Sequence, residues 1–515
     1  MSQSEAAERI ELAVFESRLA ALCETMGAVL RRSAFSPNIR DRLDFSCALF
    51  DAGGALLNQA THIPVHLGSM AWAMRDLVDR FDWRPGHRLI LNDPFAGGTH
   101  LPDVTLIAPV FHGEELVGFV ANRAHHADIG SETPGSMPLS GTLADEGVLI
   151  EPTWLYRDGV RVDAAFEAIC APMRDPALAG ADFQAQVAAS ASGERALTAL
   201  LDEYGPDRFR ALCDGLNAYA ERLAAAALAA LPGGVYRAED AMDDDGAGGP
   251  GPVLRVAVEV GDDGLRVDFA GTDPAVPGNL NCPMSVTAAA VFYVVRCLLP
   301  AATPACAGAM ARLALDAPVG CLVNAQRPSA TAAGNVETSQ RIVDVLLRAL
   351  ALAVPGRIPA ASQGTMNNLG LGSARWSYYE TQAGGCGASA GHPGRSAVHS
   401  HMTNTLNTPA EVLERRFPLR LVEYRIRRGS GGEGRRRGGD GLIRTFEFLE
   451  PAEVTLITER RRLAPWGLEG GGDGLPGENR LDDRVLPAKV GLRVEAGQRL
   501  RIETPGGGGY GAPGP

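Results

Sequence analysis

The sequence predicts an α+β fold, a mixed multi-domain architecture with antiparallel-rich sheets and packed helices. Three features carry that expectation. Apolar residues recur at helical steps over 5–32 and 178–231. Two pairs of short apolar runs, 104–110 with 116–121 and 254–260 with 265–269, flank tight Gly-containing turns in the manner of hairpins. Gly and Pro rise from about residue 356, and strands dominate from there. The 515 residues suggest roughly three domain-sized units, placed at 1–240, 241–355 and 356–515.

In chain order, Ile10, Val14, Leu19, Leu22, Met26 and Val29 give the first helix its apolar stripe, with Pro37 as the expected stop. A strand follows at 45–50, closed by the turn Asp51-Ala-Gly-Gly. A helix is expected at 67–81 and a short strand at 89–91. Pairing 104–110 with 116–121 would bring Asp103 and the His125 region to one end of a hairpin. The Ala-rich 178–231 breaks at Gly205-Pro206, and the acidic, Gly-rich 240–252 reads as a boundary or exposed loop. Two more helices are expected at 284–299 and 338–353.

Net charge is −13, and the basic clusters 425–428 and 435–437 are separated by a Gly-rich stretch. Phosphate backbones need denser cation clusters, so these read as solvated loops or a partner surface, and no nucleic-acid partner is expected. Lys489 is the only lysine and no Gly-Lys-Ser/Thr loop exists, so ATP is not held by that route. Nine irregularly spaced cysteines without Cys-x-x-Cys suit free thiols in a reducing cytoplasm. The greasiest run, 286–299, is too short to span a bilayer and carries Arg296, and no signal-peptide pattern opens the sequence. A cytoplasmic protein without membrane association is expected.

The densest chemistry lies in 86–130. His100 and Asp103 stand three apart across Pro102, and His125, His126 and Asp128 follow the second hairpin run. Imidazoles with carboxylates suit Zn, Mn or Fe, and such a set with an open position is catalytic rather than structural. The plainer alternative is a Gly-rich turn with surface histidines. His62 and His66 are four apart, but Pro64 and Gly68 oppose the helix that would pair them. Gly387-Ala-Ser-Ala-Gly391 matches a nucleophile elbow without its strand and helix. Cys386 has His392, His399 and His401 near it in sequence, which is weak evidence for a Cys/His pair.

Several long stretches resemble the hydantoinase B/5-oxoprolinase family over nearly the whole chain. They are SPNIRDRLDFSCALFD, HIPVHLGSM, LNDPFAGGTHLPDVT, HHADIG with PGSMP, AGNVETSQRIVDVLL, YYETQAGG, HSHMTNTLNTPAEVLE, ERRRLAPWGLEGG and TPGGGGYG. The resemblance implies kinship with N-methylhydantoinase, 5-oxoprolinase, caprolactamase and acetone- or acetophenone-type carboxylase subunits. It implies a hydantoinase A-type partner that uses ATP and Mg, in a heterotetramer or larger assembly.

The resemblance places the metal ligands at His100, Asp103, His125 and an acidic residue of the NIRDR stretch, here Asp41. It implies one divalent ion whose bound water attacks a lactam or hydantoin carbonyl activated by the ATP-using partner. His126, Asp128, His62, His66 and Glu380 are candidate proton shuttles. Asn335, Glu337, Thr338, His399, His401 and Asn404 are candidate substrate-lining residues, against a plain reading of loop hydrogen bonding. A carboxylase subunit and a non-catalytic scaffold for the ATPase are the competing readings.

Overall fold

The computed structural model describes residues 3–514 apart from Thr61 and Leu67, with side chains from residue 8 onward. The first layer is a seven-stranded sheet. Its strands are β1 (Phe45–Asp51), β2 (Leu56–Gln59), β3 (Arg88–Leu91), β4 (Asp103–His112), β5 (Glu115–His125), β6 (Thr153–Arg157) and β7 (Val160–Arg161), in the order β2-β1-β5-β4-β3-β6-β7. Every neighbouring pair is antiparallel. The expected hairpin is β4–β5, and its register sets Asp103 opposite His125.

Both faces of this sheet are covered, so β4 and β5 are buried for most of their length. Side chains alternate along a strand. Val120 and Ala124 join the core formed with α1 (Gln3–Ser33), α5 (Pro176–Tyr204) and α6 (Pro206–Ala229), whereas Phe119 and Ala121 pack with α3 (Ser69–Leu77). Two small helices complete this half, α2 (Pro37–Arg40) and α4 (Asp163–Cys170). The first helix ends at Ser33, before the expected stop. Pro37 instead opens α2, where its fixed φ and missing N–H are tolerated. The predicted helix at 67–81 is shorter, and its first residue, Leu67, lies outside the described residues.

A second sheet, β11-β10-β9-β8, contains β8 (Gly234–Ala241), β9 (Val253–Gly261), β10 (Gly264–Asp268) and β11 (Leu313–Asp316). The β9–β10 hairpin agrees with the sequence expectation. The segment 240–252 is not simply exposed. Asp243 is buried, Asp240 pairs with Arg341 and Arg460, and Asp244 with Lys489. Helices α7 (Met284–Leu298) and α8 (Ser339–Ala353) pack centrally, and α8 is preceded by a wide π-type turn, Gly334–Thr338.

The C-terminal third holds a four-stranded and a five-stranded sheet around their own core of Leu369, Phe446, Leu456 and Leu500. Beside them, Gly-rich extended segments bond sideways, as in Gly432 N to Gly507 O, Gly507 N to Gly439 O and Gly439 N to Cys386 O. These segments are not strands, so the strand-dominated expectation holds only in part. Side chains are excluded between them. A Cβ on Gly507 would lie 2.0 Å from Cys386 O.

Candidate metal centre

Asp103 begins β4 and His125 ends β5, so strand pairing alone brings them together. The Asp103 Oδ1 atom accepts from His125 Nδ1 at 3.1 Å. Its Oδ2 accepts from Thr99 Oγ1 at 2.7 Å, His66 Nε2 at 3.2 Å and Asn335 Nδ2 at 3.4 Å. Asn335 reaches it from the π-type turn before α8. His66 reaches it from a short 3₁₀ turn, with Ser46 Oγ 2.9 Å from its Nδ1. Since the carboxylate can only accept, His66 carries its proton on Nε2 and accepts from Ser46. Burial would raise the Asp103 carboxyl, but the imidazole of His66 and the hydrogen bond from His125 hold the group well below the usual range.

His100 Nδ1 faces Ala332 O at 3.3 Å, which makes that nitrogen the donor. Its Nε2 lone pair then faces Asp103 Oδ2 at 3.2 Å, without a hydrogen bond. His125 Nε2 is likewise buried and unpartnered. Burial lowers the His125 pKa against the opposing pull of Asp103, so the ring stays available as a neutral ligand. Ligand atoms of His100, Asp103 and His125 all lie within 4.8 Å of one another. Two orphaned imidazole nitrogens beside a carboxylate are costly in a buried site unless a cation takes their lone pairs. The residues therefore fit a divalent metal.

The adjoining cavity is about 20 Å³ and is lined by Asp44, His66, Asp103, His125, Asn335 and Tyr379, among others. That admits one ion or one water. Tyr379 stacks on His125 with centroids 4.7 Å apart, and its hydroxyl donates to Asn368 Oδ1 at 2.7 Å. Arg42 packs against the same tyrosine, its guanidinium 5.2 Å from the ring centre and donating to Tyr379 O at 2.9 Å.

Other candidates go elsewhere. Asp41 pairs with Arg40 at 3.0 Å, outside the cavity lining. Leu43, at φ 58°, turns the chain between Asp41 and Asp44, and Asp44 lines the cavity. His126 lies just past the end of β5 and meets Gln186 Oε1 at 3.0 Å. Asp128 accepts from Arg174 N at 2.5 Å and Gly130 N at 3.0 Å, a loop-fixing role. His62 accepts from Cys47 N at 3.3 Å, and burial pushes its pKa down to about 4. Glu380 is buried against Arg444 at 2.5 Å.

Of the lining candidates, only Asn335 touches Asp103. Glu337 is buried behind it, accepting from Met366 N at 3.0 Å and Asn368 Nδ2 at 2.6 Å, and Thr338 donates to Leu280 O at 2.5 Å. His399 sits near Thr403, its pKa drawn down to about 4 by burial. His401 faces Tyr293 and Asp344. Asn404 is exposed and donates to His62 O. Burial raises the Cys386 thiol, and no histidine bonds to it among the described residues. Asp44, Thr99 and Tyr379 were not singled out by their sequence context. Thr99 directly precedes His100, and Asp44 stands in the same acidic stretch as Asp41.

A family model described as hydantoinase B/oxoprolinase matches residues 8–513. The chain belongs to the hydantoinase B/oxoprolinase family. This family member is 38% identical to 5-oxoprolinase 1 of Arabidopsis thaliana over 98% of its own length, yet spans only 42% of that protein. It is 32% identical to a protein of Pseudomonas sp. named as the B-type subunit of a D-/L-hydantoinase, covering 95% of this chain and 87% of that one. Its structure matches that of an ATP-dependent caprolactamase from Pseudomonas jessenii with TM-score 0.92 and 27% identity, over 98% of this chain and 91% of that chain. An acetone carboxylase shares the fold at TM-score 0.87 and 18% identity, with 98% and 76% covered. No helix among the described residues is long and apolar enough to cross a membrane.

Proposed function

We propose that this chain is the hydrolytic subunit of an ATP-dependent cyclic-amide amidohydrolase acting on a lactam or hydantoin. One divalent ion, Zn, Mn or Fe, would be held by His100, Asp103 and His125, with Asp44 rather than Asp41 as the fourth donor. The observation that carries this reading is the pair of buried, unpartnered imidazole nitrogens around Asp103. The names of the oxoprolinase, hydantoinase and caprolactamase relatives support the substrate class.

When bound, such an ion would supply Lewis acidity and would lower the pKa of water toward neutrality. The chain's own residues hold the centre in place. Thr99, Asn335 and His66 fix the orientation of the Asp103 carboxylate. Ala332 O fixes the His100 tautomer, and Tyr379 shields one face of His125 from water. His66 donates from Nε2 to Asp103 and accepts at Nδ1 from Ser46, so it would pass its Nε2 proton to a leaving amine only after taking up a proton at Nδ1. A ring does not fit in about 20 Å³, so substrate entry requires the cavity to widen. An amide carbonyl is a poor electrophile, and phosphorylation of its oxygen by a hydantoinase A-type partner using Mg-ATP would provide the missing activation.

The test is ATP consumption by the reconstituted pair on lactams, hydantoins and ketones, with and without bicarbonate. Ring-opened product and ATP use without bicarbonate are expected. Turnover only with a ketone plus bicarbonate would overturn the hydrolase reading.

A further inference from the structure

A second cavity, of about 230 Å³, shares no lining residue with the metal centre. Its walls come from the turn after β1 at 53–56, from α3, from α7 and from 305–310. Leu56, Ala71, Phe292 and Met310 make it mainly apolar, and Arg75 and Arg296 are its charged members. Phe292 separates it from the His66 segment by packing on Gly68, where a Cβ would lie 2.2 Å from Phe292 Cδ2.

Arg75 is exposed, whereas Arg296 is partly buried and short of partners. Neither makes an ion pair among the described residues. Arg75 lies over the Trp72 ring at 5.4 Å. Arg296 Nη2 makes one long bond to Ala301 O at 3.4 Å, and its buried Nη1 has none. Burial weakens the charged form of Arg296, and Glu16, which opposes this, makes no ion pair with it. A guanidinium partly withdrawn from water, with one buried nitrogen unpartnered beside apolar walls, is matched by an anion that brings its own hydrocarbon.

We propose that this cavity binds a small carboxylate with an apolar tail, the carboxylate on Arg296 and Arg75 and the tail against Leu56, Ala71 and Phe292. A carboxylate suits the planar fork of an arginine better than an alcohol or an amine of equal length does. Neither arginine belongs to the metal centre, so binding is read without turnover.

The experiment is calorimetric titration of the full chain with hexanoate, and with hexanol and hexylamine as matched probes. Saturable hexanoate binding is expected, with hexanol weaker by roughly tenfold or more and hexylamine weaker still. Arg296→Met keeps the apolar stem and should reduce hexanoate binding to the hexanol level. Ala305→Trp should fill the cavity and abolish both. Unfolding midpoints of the variants show that they are folded, and Arg75→Met replaces Arg296→Met if the latter does not fold. Equal binding of hexanoate and hexanol would identify a plain apolar cavity and overturn the proposal. So would undiminished hexanoate binding by the arginine variant, or no saturable binding by the native chain.

Discussion

At the scale of single residues, the centre is built from tautomers as much as from ligands. Ala332 O and Asp103 Oδ1 each take an N–H, leaving one lone pair on each of two rings. His100→Ala should therefore lose most bound metal and most ATP-coupled turnover with the partner. The fold should survive, because a local site in a large domain does not carry folding as a zinc finger does. Elemental analysis beside unfolding curves checks this, and equal metal in both proteins would sink the assignment. Asp44→Asn should lower metal affinity while Asp41→Asn leaves it unchanged, since Asp44 lines the cavity beside Asp103 and Asp41 does not. Metal retention after dialysis separates the two acids.

Glu337 supplies a pH prediction. Burial pushes its carboxyl up to about 8, assisted by Glu459, with Lys489 opposing. Arg461 also acts electrostatically on this group. The raised folded-state pKa means that the native state keeps a proton which the unfolded chain loses near the ordinary 4.5. The native state then binds more protons between pH 4.5 and about 8, so stability falls as pH rises through that window. Glu337→Gln keeps an acceptor for Met366 N and Asn368 Nδ2 and removes the titration. Its melting temperature should gain on the native protein from pH 5 to about 8 and level off above that. Parallel curves would show that Glu337 does not titrate there.

At the scale of elements, local periodicity was readable and long-range side-chain direction was not. The hairpin β4–β5 followed from two apolar runs and a Gly turn, and its register delivered Asp103 to His125. His126 meets Gln186 just past the end of that strand, which continues through His125, farther than the apolar run at 116–121 extends. Asp41 and Asp44 could not be told apart without the left-handed turn at Leu43. Tyr379 arrives from a remote part of the chain, so no spacing announced it. The Gly-rich segments also looked like turns and loops, because their mutual packing has no sequence period. Gly507→Ala should destabilise by about 1–3 kcal/mol or more, the usual range for overpacking, because the new Cβ meets Cys386 O at 2.0 Å. Gly391→Ala, with nothing within 4 Å of the new atom, should stay within about 0.5 kcal/mol. Denaturant midpoints compare them, and similar losses at both positions would discount the close packing.

At the scale of the whole molecule, the candidate metal centre has no companion phosphate-binding lysine. The one lysine of the chain, Lys489, is not free to hold phosphate, because its Nζ lies 2.5 Å from Glu459 and 3.0 Å from Asp244. The buried arginines beside it are similarly committed, Arg341 to Asp240 and Glu459, and Arg460 to Asp240 and Asp344. Removing such a cation from its acids leaves buried charge uncompensated, which typically costs about 3–5 kcal/mol. ATP would have to displace those pairs to bind among them. The isolated chain should therefore show no saturable binding of Mg-ATP by calorimetry. A hydantoinase A-type protein should copurify with it from its native host, and the mixture should bind the nucleotide. Tight ATP binding by this chain alone would reassign the energy-using step to it, whereas recovery of this chain without a companion would remove the partner from the proposed reaction.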